Sequence, residues 1–74
     1  MSNATPIVTR RSKIYRTALA KCEAARSAYV NAEAAEYMAE QGPAKDAAAD
    51  TRRVCETKFI IADMELRALK SMMA

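Results

Sequence analysis

The groups able to do chemistry in this sequence are cations gathered around one phenol. Arg11, Lys13 and Arg16 surround Tyr15, and Arg10 stands just before them. A guanidinium presents a planar fork of donors to a phosphate or carboxylate. A ring flanked by cations can stack on a base while the charges hold its phosphate. Arg67 and Lys70, near the other end of the chain, add two more cations. The pattern predicts an anion site built from Arg11, Lys13, Tyr15, Arg16, Arg67 and Lys70, provided that folding brings the two ends together.

Catalytic patterns are missing. The chain has no His, so Ser–His–Asp and Cys–His nucleophiles are excluded, as is the usual proton shuttle near pH 7. Two Cys without His do not make a zinc site. A single Gly leaves no room for a Gly-rich phosphate loop. Glu33 with Glu36, and Asp63 with Glu65, read as solvated helix faces; two residues apart, Asp63 and Glu65 diverge around a helix. The sequence predicts no enzyme, no catalytic residue, no metal and no cofactor.

The elements that must position the cations are simple. The chain of 74 residues allows one domain. Residues 1–9 are short polar and β-branched types around Pro6, read as a flexible arm, and Thr9 or Ser12 can cap a helix. From Lys13 to Gln41 there is neither Gly nor Pro, and Ala, Glu, Arg and Lys dominate. Gly42 and Pro43 break the pattern, Gly as a left-handed helix end and Pro as the first turn of a new helix. The reading is a helical hairpin over 10–74: helix 12–41, turn 42–43, helix 44–72. Each helix runs about 44 Å at 1.5 Å per residue. One long helix kinked at Pro43 is the alternative.

Only 11 residues are Leu, Ile, Val or Phe, whereas 17 are Ala. A lone hairpin of this composition is marginal. Ala18, Ala25, Ala32 and Ala39 recur every seven residues and are expected to form helix one's seam, facing Ile60 and its neighbours. Helix two carries more than one stripe: Cys55, Phe59, Ala62, Leu66, Leu69 and Met73, beside Ala47, Val54, Ile61 and Ala68. Helix one adds Tyr15, Leu19, Cys22 and Tyr29. A hairpin closes with one seam per helix, so the surplus stripe predicts self-association into a multi-helix bundle. The expected interface is Leu19, Tyr29, Val54, Phe59, Ile61, Leu66 and Leu69. Otherwise a foreign protein covers the stripe. Cys22 and Cys55 fall about eight residues out of register, roughly 12 Å along a helix, too far for a disulfide.

The net charge of +3 hides a polarity. Residues 1–21 hold five bases and no acid, while residues 22–51 hold six acids and two bases. In a hairpin, one end is basic and the turn end acidic. That is a modest footprint for nucleic acid, and the acidic pole would repel a duplex. No run approaches 18 apolar residues and the first residues lack a signal-peptide core, so a cytoplasmic protein without membrane contact is expected.

Two strings also carry a family resemblance. Tyr15-Arg16-Thr17-Ala18-Leu19 resembles the start of the first helix, and Thr57-Lys58-Phe59-Ile60-Ile61-Ala62-Asp63-Met64 a stretch of the second, in small phage-encoded helical-hairpin proteins of the anti-CBASS sponge family. The resemblance covers residues 15–70. It implies homo-oligomers that sequester cyclic di- and trinucleotide signals and so blunt host antiviral defence. It further implies a nucleotide contact by Tyr15, with Arg16 nearby and Thr57 facing a neighbouring subunit. The reading preferred from the sequence is a non-catalytic phage-type inhibitor that binds and blocks a host protein in the host cytoplasm. A homo-oligomeric cyclic-nucleotide sponge is the alternative, and a small nucleic-acid-binding bundle is the third.

Overall fold

The computed structural model describes residues 5–73, with side chains from Ser12 to Met72. The fold is all-α: α1, Thr5–Met38, and α2, Pro43–Met73. Cross-helix pairs run antiparallel. Lys21 meets Glu65, Tyr29 meets Phe59 and Glu36 meets Arg52. These pairs exclude the kinked single helix.

α1 starts earlier than the sequence suggests. Residues 5–9, expected in the arm, are helical, whereas residues 1–4 lie outside the described residues. Pro6 falls in the first turn, where an amide proton has no intrahelical acceptor to lose. Thr9 and Ser12 are therefore interior and do not cap; the Ser12 carbonyl accepts a bond from Arg16 Nε at 3.4 Å. α1 also ends earlier, at Met38 rather than 41. The Ala39 amide donates to the Glu36 carbonyl at 3.3 Å, a tightened last turn. Gly42 then takes φ 109°, a value L side chains rarely adopt. Its carbonyl accepts the Asp46 amide at 3.1 Å and opens α2, with Pro43 as the first helical residue. Asp46 in the first turn and Lys70 in the last both suit the α2 dipole.

The seam is a single 3-4 alternation on each helix. On α1 it runs Tyr15, Ala18, Cys22, Ala25, Tyr29, Ala32 and Glu36, with Ala39 just past its end, all buried or half-buried. On α2 it runs Lys45, Ala48, Arg52, Cys55, Phe59, Ala62, Leu66 and Leu69, again buried or half-buried. The Ala series of α1 and the Tyr15–Cys22–Tyr29 series are thus two rows of one seam, not two faces. The expected Ala25–Ile60 apposition is corrected accordingly: Ile60 and Ile61 are exposed, and Phe59 and Ala62 turn inward. Interhelical pairs have residue numbers summing to 86 or 88, close to the 85 that a turn at Gly42–Pro43 implies. Cys22 and Cys55 are both free thiols.

The core lies in the half nearer the termini. Cys22, Ala62 and Leu66 are buried, with Tyr15, Ala18, Leu19, Ala25 and Phe59 packed against them. Ala62 is only 3 % exposed: its small side chain lets α1 close over it. Towards the turn the seam becomes polar. Arg52 donates from Nε to Glu36 at 2.5 Å and from Nη1 to Glu56 at 3.1 Å, bridging the helices in place of apolar bulk. A charged seam pair favours one register over its slipped neighbours.

Candidate interaction surface

The hairpin brings Lys13, Arg16, Arg67 and Lys70 to one end, and among the described residues these four do not line one common pocket. The Arg11 side chain lies outside the described residues. Lys13, Arg16 and Lys70 are exposed. Arg67 is bound by Asp63 at 2.9 Å along its own helix. Tyr15 is half-buried against the Cys22–Ala62–Leu66 core, so its ring is part of the packing rather than a free stacking platform. Thr57 stands apart. Its hydroxyl donates to the Arg53 carbonyl at 3.0 Å, and its level on the rod is near residue 31, roughly 24 Å along the axis from Tyr15. Within one chain, Tyr15 and Thr57 do not share a site.

Among the described residues, both helices line a shallow cleft of about 380 Å³ at this end. Ile14, Ala18 and Leu69 contribute apolar surface, and Lys13, Lys21 and Glu65 contribute charge. Lys21 already donates to Glu65 at 3.3 Å, which leaves Lys13 as the cation of that cleft without an ion pair among the described residues.

The carboxylates that resembled paired acids have structural partners. Glu33 accepts from the Tyr29 hydroxyl at 3.2 Å, and Glu36 holds Arg52. Asp63 holds Arg67 and Glu65 holds Lys21. Burial, and then the hydrogen bond to Glu33, push the Tyr29 phenol above its ordinary range. The Glu36 hydrogen bond likewise keeps the Arg52 guanidinium protonated beyond its usual range.

The expected interface residues divide in two. Leu66 is buried inside the hairpin, and Leu19, Tyr29, Phe59 and Leu69 are half-buried along or beside the seam. Tyr29 stacks on Phe59, ring centroids 6.0 Å apart and planes 17° apart. One chain therefore already uses these five. Val54 and Ile61 remain on the outside of α2, together with Ile60 and Met64. Ile61 is 50 % exposed and Met64 62 %. Thr57, Ile61, Met64 and Ala68 follow 3-4 spacing on the side of α2 turned away from α1, flanked by Val54 and Ile60. A smaller group, Val30, Tyr37 and Met38, is exposed on α1 near the turn.

The sequence reading overlooked the Glu36–Arg52–Glu56 bridge. Its signal was available: Glu36 and Arg52 sit on the seam alternation of their own helices.

No family model, curated protein or solved structure matches the chain. The likeness of residues 15–19 and 57–64 to the sponge proteins rests on those strings alone. No helix among the described residues is long and apolar enough to cross a membrane.

Proposed function

We propose that this chain is a non-catalytic interaction protein that works by stoichiometric binding, and that it self-associates through the outer face of α2. One observation carries this reading. The hairpin closes on Cys22, Ala32, Ala62 and Leu66, yet leaves Val54, Ile60, Ile61 and Met64 half or more exposed on one side of one helix. A surface helix normally keeps its apolar residues in one stripe facing its own core. A second stripe on the far side is surface meant for another chain. The assembled protein then offers its basic end to a further partner, a host protein in the inhibitor reading. The test is sedimentation equilibrium from low to high micromolar concentration. A mass that rises from one chain to two or more supports the proposal, and a fixed single-chain mass removes it.

The cyclic-nucleotide sponge is the second reading, and the cleft beside Lys13 favours it. Apolar Ile14 and Leu69 next to Lys13, which has no ion pair among the described residues, suit a base and its phosphate. Lys13→Glu is the variant to use, because Tyr15→Ala would also disturb the core. Calorimetry with cyclic di- and trinucleotides should give heat that Lys13→Glu abolishes. Absence of heat with every cyclic nucleotide ends this reading.

A further inference from the structure

We infer that the second copy lies antiparallel, α2 against α2, with Ile61 near a two-fold axis, so that the four helices form a row in the order α1, α2, α2, α1. This rests on the self-association proposed above and specifies its geometry.

Direction comes first. The seam residues Phe59, Ala62 and Leu66 face α1, and Ile61, Met64 and Ala68 lie on the opposite side of α2. A square four-helix bundle needs each hairpin to present both of its helices on one face. Packing of that kind leaves the Ile61 stripe in water. Docking at the far edge of α2 covers it.

Charge then selects the orientation. The turn end carries Glu40, Asp46 and Asp50, and the other end carries Lys13, Arg16 and Lys70, all exposed. A parallel neighbour sets like ends side by side, whereas an antiparallel one sets opposite ends together. The flanks of the stripe agree. Lys58 and Glu65 are seven residues apart on the same side of α2, and both are exposed. With Ile61 on the axis, facing residues have numbers summing to about 122. Lys58 then lies beside the partner's Glu65, which within its own chain also accepts Lys21 at 3.3 Å, and symmetry repeats the pair. Parallel helices would set this flank against the partner's opposite flank, so Lys58 would not meet the partner's Glu65. On the other flank Arg53 approaches the partner's Arg67, but Asp50 and Asp63 already pair with Arg53 and Arg67 in each chain at 2.9 Å.

Area is sufficient for a small interface. The exposed parts of Val54, Ile60, Ile61, Met64 and Met72 amount to roughly 500 Å² per copy, before polar flanks, against about 800 Å² per partner in a standard interface.

The test uses the full chain with Cys22→Ala and Cys55→Ala, its helicity checked by circular dichroism. Val54→Cys is made on one sample and Ala68→Cys on another, and the two are mixed in a glutathione redox buffer. The expected product is the mixed 54–68 disulfide dimer, in excess over either like-with-like dimer. Like-with-like 54–54 and 68–68 dimers would overturn the antiparallel arrangement and leave self-association standing. A dimeric mass with no cross-link at either position would overturn the α2 contact itself. A single-chain mass at every concentration would remove the self-association reading and this inference together. As a second arm, Lys58→Glu should raise the dimer dissociation constant roughly three- to tenfold at low salt, and less at high salt. An unchanged constant would contradict the Lys58–Glu65 pairing.

Discussion

Replacing Ile61 by Asp should take the assembly apart and leave the hairpin standing. Ile61 is 50 % exposed and lies on the side of α2 away from α1. Ile and Asp have similar intrinsic helix propensities, so within one hairpin the change costs under about 1 kcal/mol. The cost in the dimer is larger. Full burial of an Ile contributes roughly 1.5–3 kcal/mol, so covering the exposed half contributes about 1 kcal/mol per copy. Two Asp side chains meeting near the axis each lose hydration without a hydrogen-bond partner, about 1–3 kcal/mol apiece. Together these reach at least about 4 kcal/mol per dimer, roughly a thousandfold in dissociation constant. Sedimentation equilibrium reads the mass, and circular dichroism on the same samples reads the helix. The expected result is a single-chain mass with helix content retained at low temperature. Unchanged association would refute the placement of Ile61 at the contact. An unfolded Ile61→Asp chain, beside a wild type that is itself a stable monomer, would refute its placement outside the seam.

Other outcomes follow from the same packing. Leu66→Ala should cost about 2–5 kcal/mol, because Leu66 is 6 % exposed at the centre of a small core; chemical denaturation measures it, and a change below 1 kcal/mol would place the core elsewhere. Arg52→Ala leaves Glu36 and Glu56 facing each other across the seam and should destabilise by about 1–2 kcal/mol, while Arg52→Met recovers part of the loss by packing; equal effects of the two would argue against the ion bridge. Gly42→Ala forces an L side chain to φ 109° and should cost about 1–2 kcal/mol in thermal unfolding; no cost would mean the turn takes another shape. The Tyr29 phenol is raised in the folded chain, so its contribution is fully present below its ordinary value of 10.0 and fades as pH rises through the higher folded value. The melting temperature of wild type should therefore fall more steeply than that of Tyr29→Phe as pH climbs above 10.0, and parallel profiles would contradict the assignment.

The hairpin was legible because only one interior site can break the helix. Gly42 and Pro43 do what their backbones allow, and the register follows from them to within about three residues. Less legible was the choice of face. α2 holds two apolar series of similar weight, Cys55–Phe59–Ala62–Leu66 and Val54–Ile61–Ala68, and periodicity alone does not say which one α1 covers. The polar residues decide it: Glu36 and Arg52 can bridge only when Phe59 and Leu66 turn inward. A seven-residue Ala series also drifts about 20° per repeat around a straight helix, so Ala18 to Ala39 marks one row of a seam and not its full width. The start of α1 was hidden by the short polar and β-branched residues 1–9 around Pro6, which suggest an arm, although a first turn tolerates Pro. Of the candidate anion site, the gathering of cations at one end was readable from topology. The packing of Tyr15 into the core and the isolation of Thr57 were not, because both depend on how far along and around the rod each residue falls.

One hairpin leaves the outer face of α2 uncovered, and in the proposed assembly a second copy covers it. Static light scattering across a dilution series tests it directly. The expected mass is at least twice the 8.1 kDa chain at high concentration, falling towards 8.1 kDa on dilution, with Ile61→Asp monomeric throughout. A well-folded wild-type chain that stays at 8.1 kDa over the whole range would contradict it.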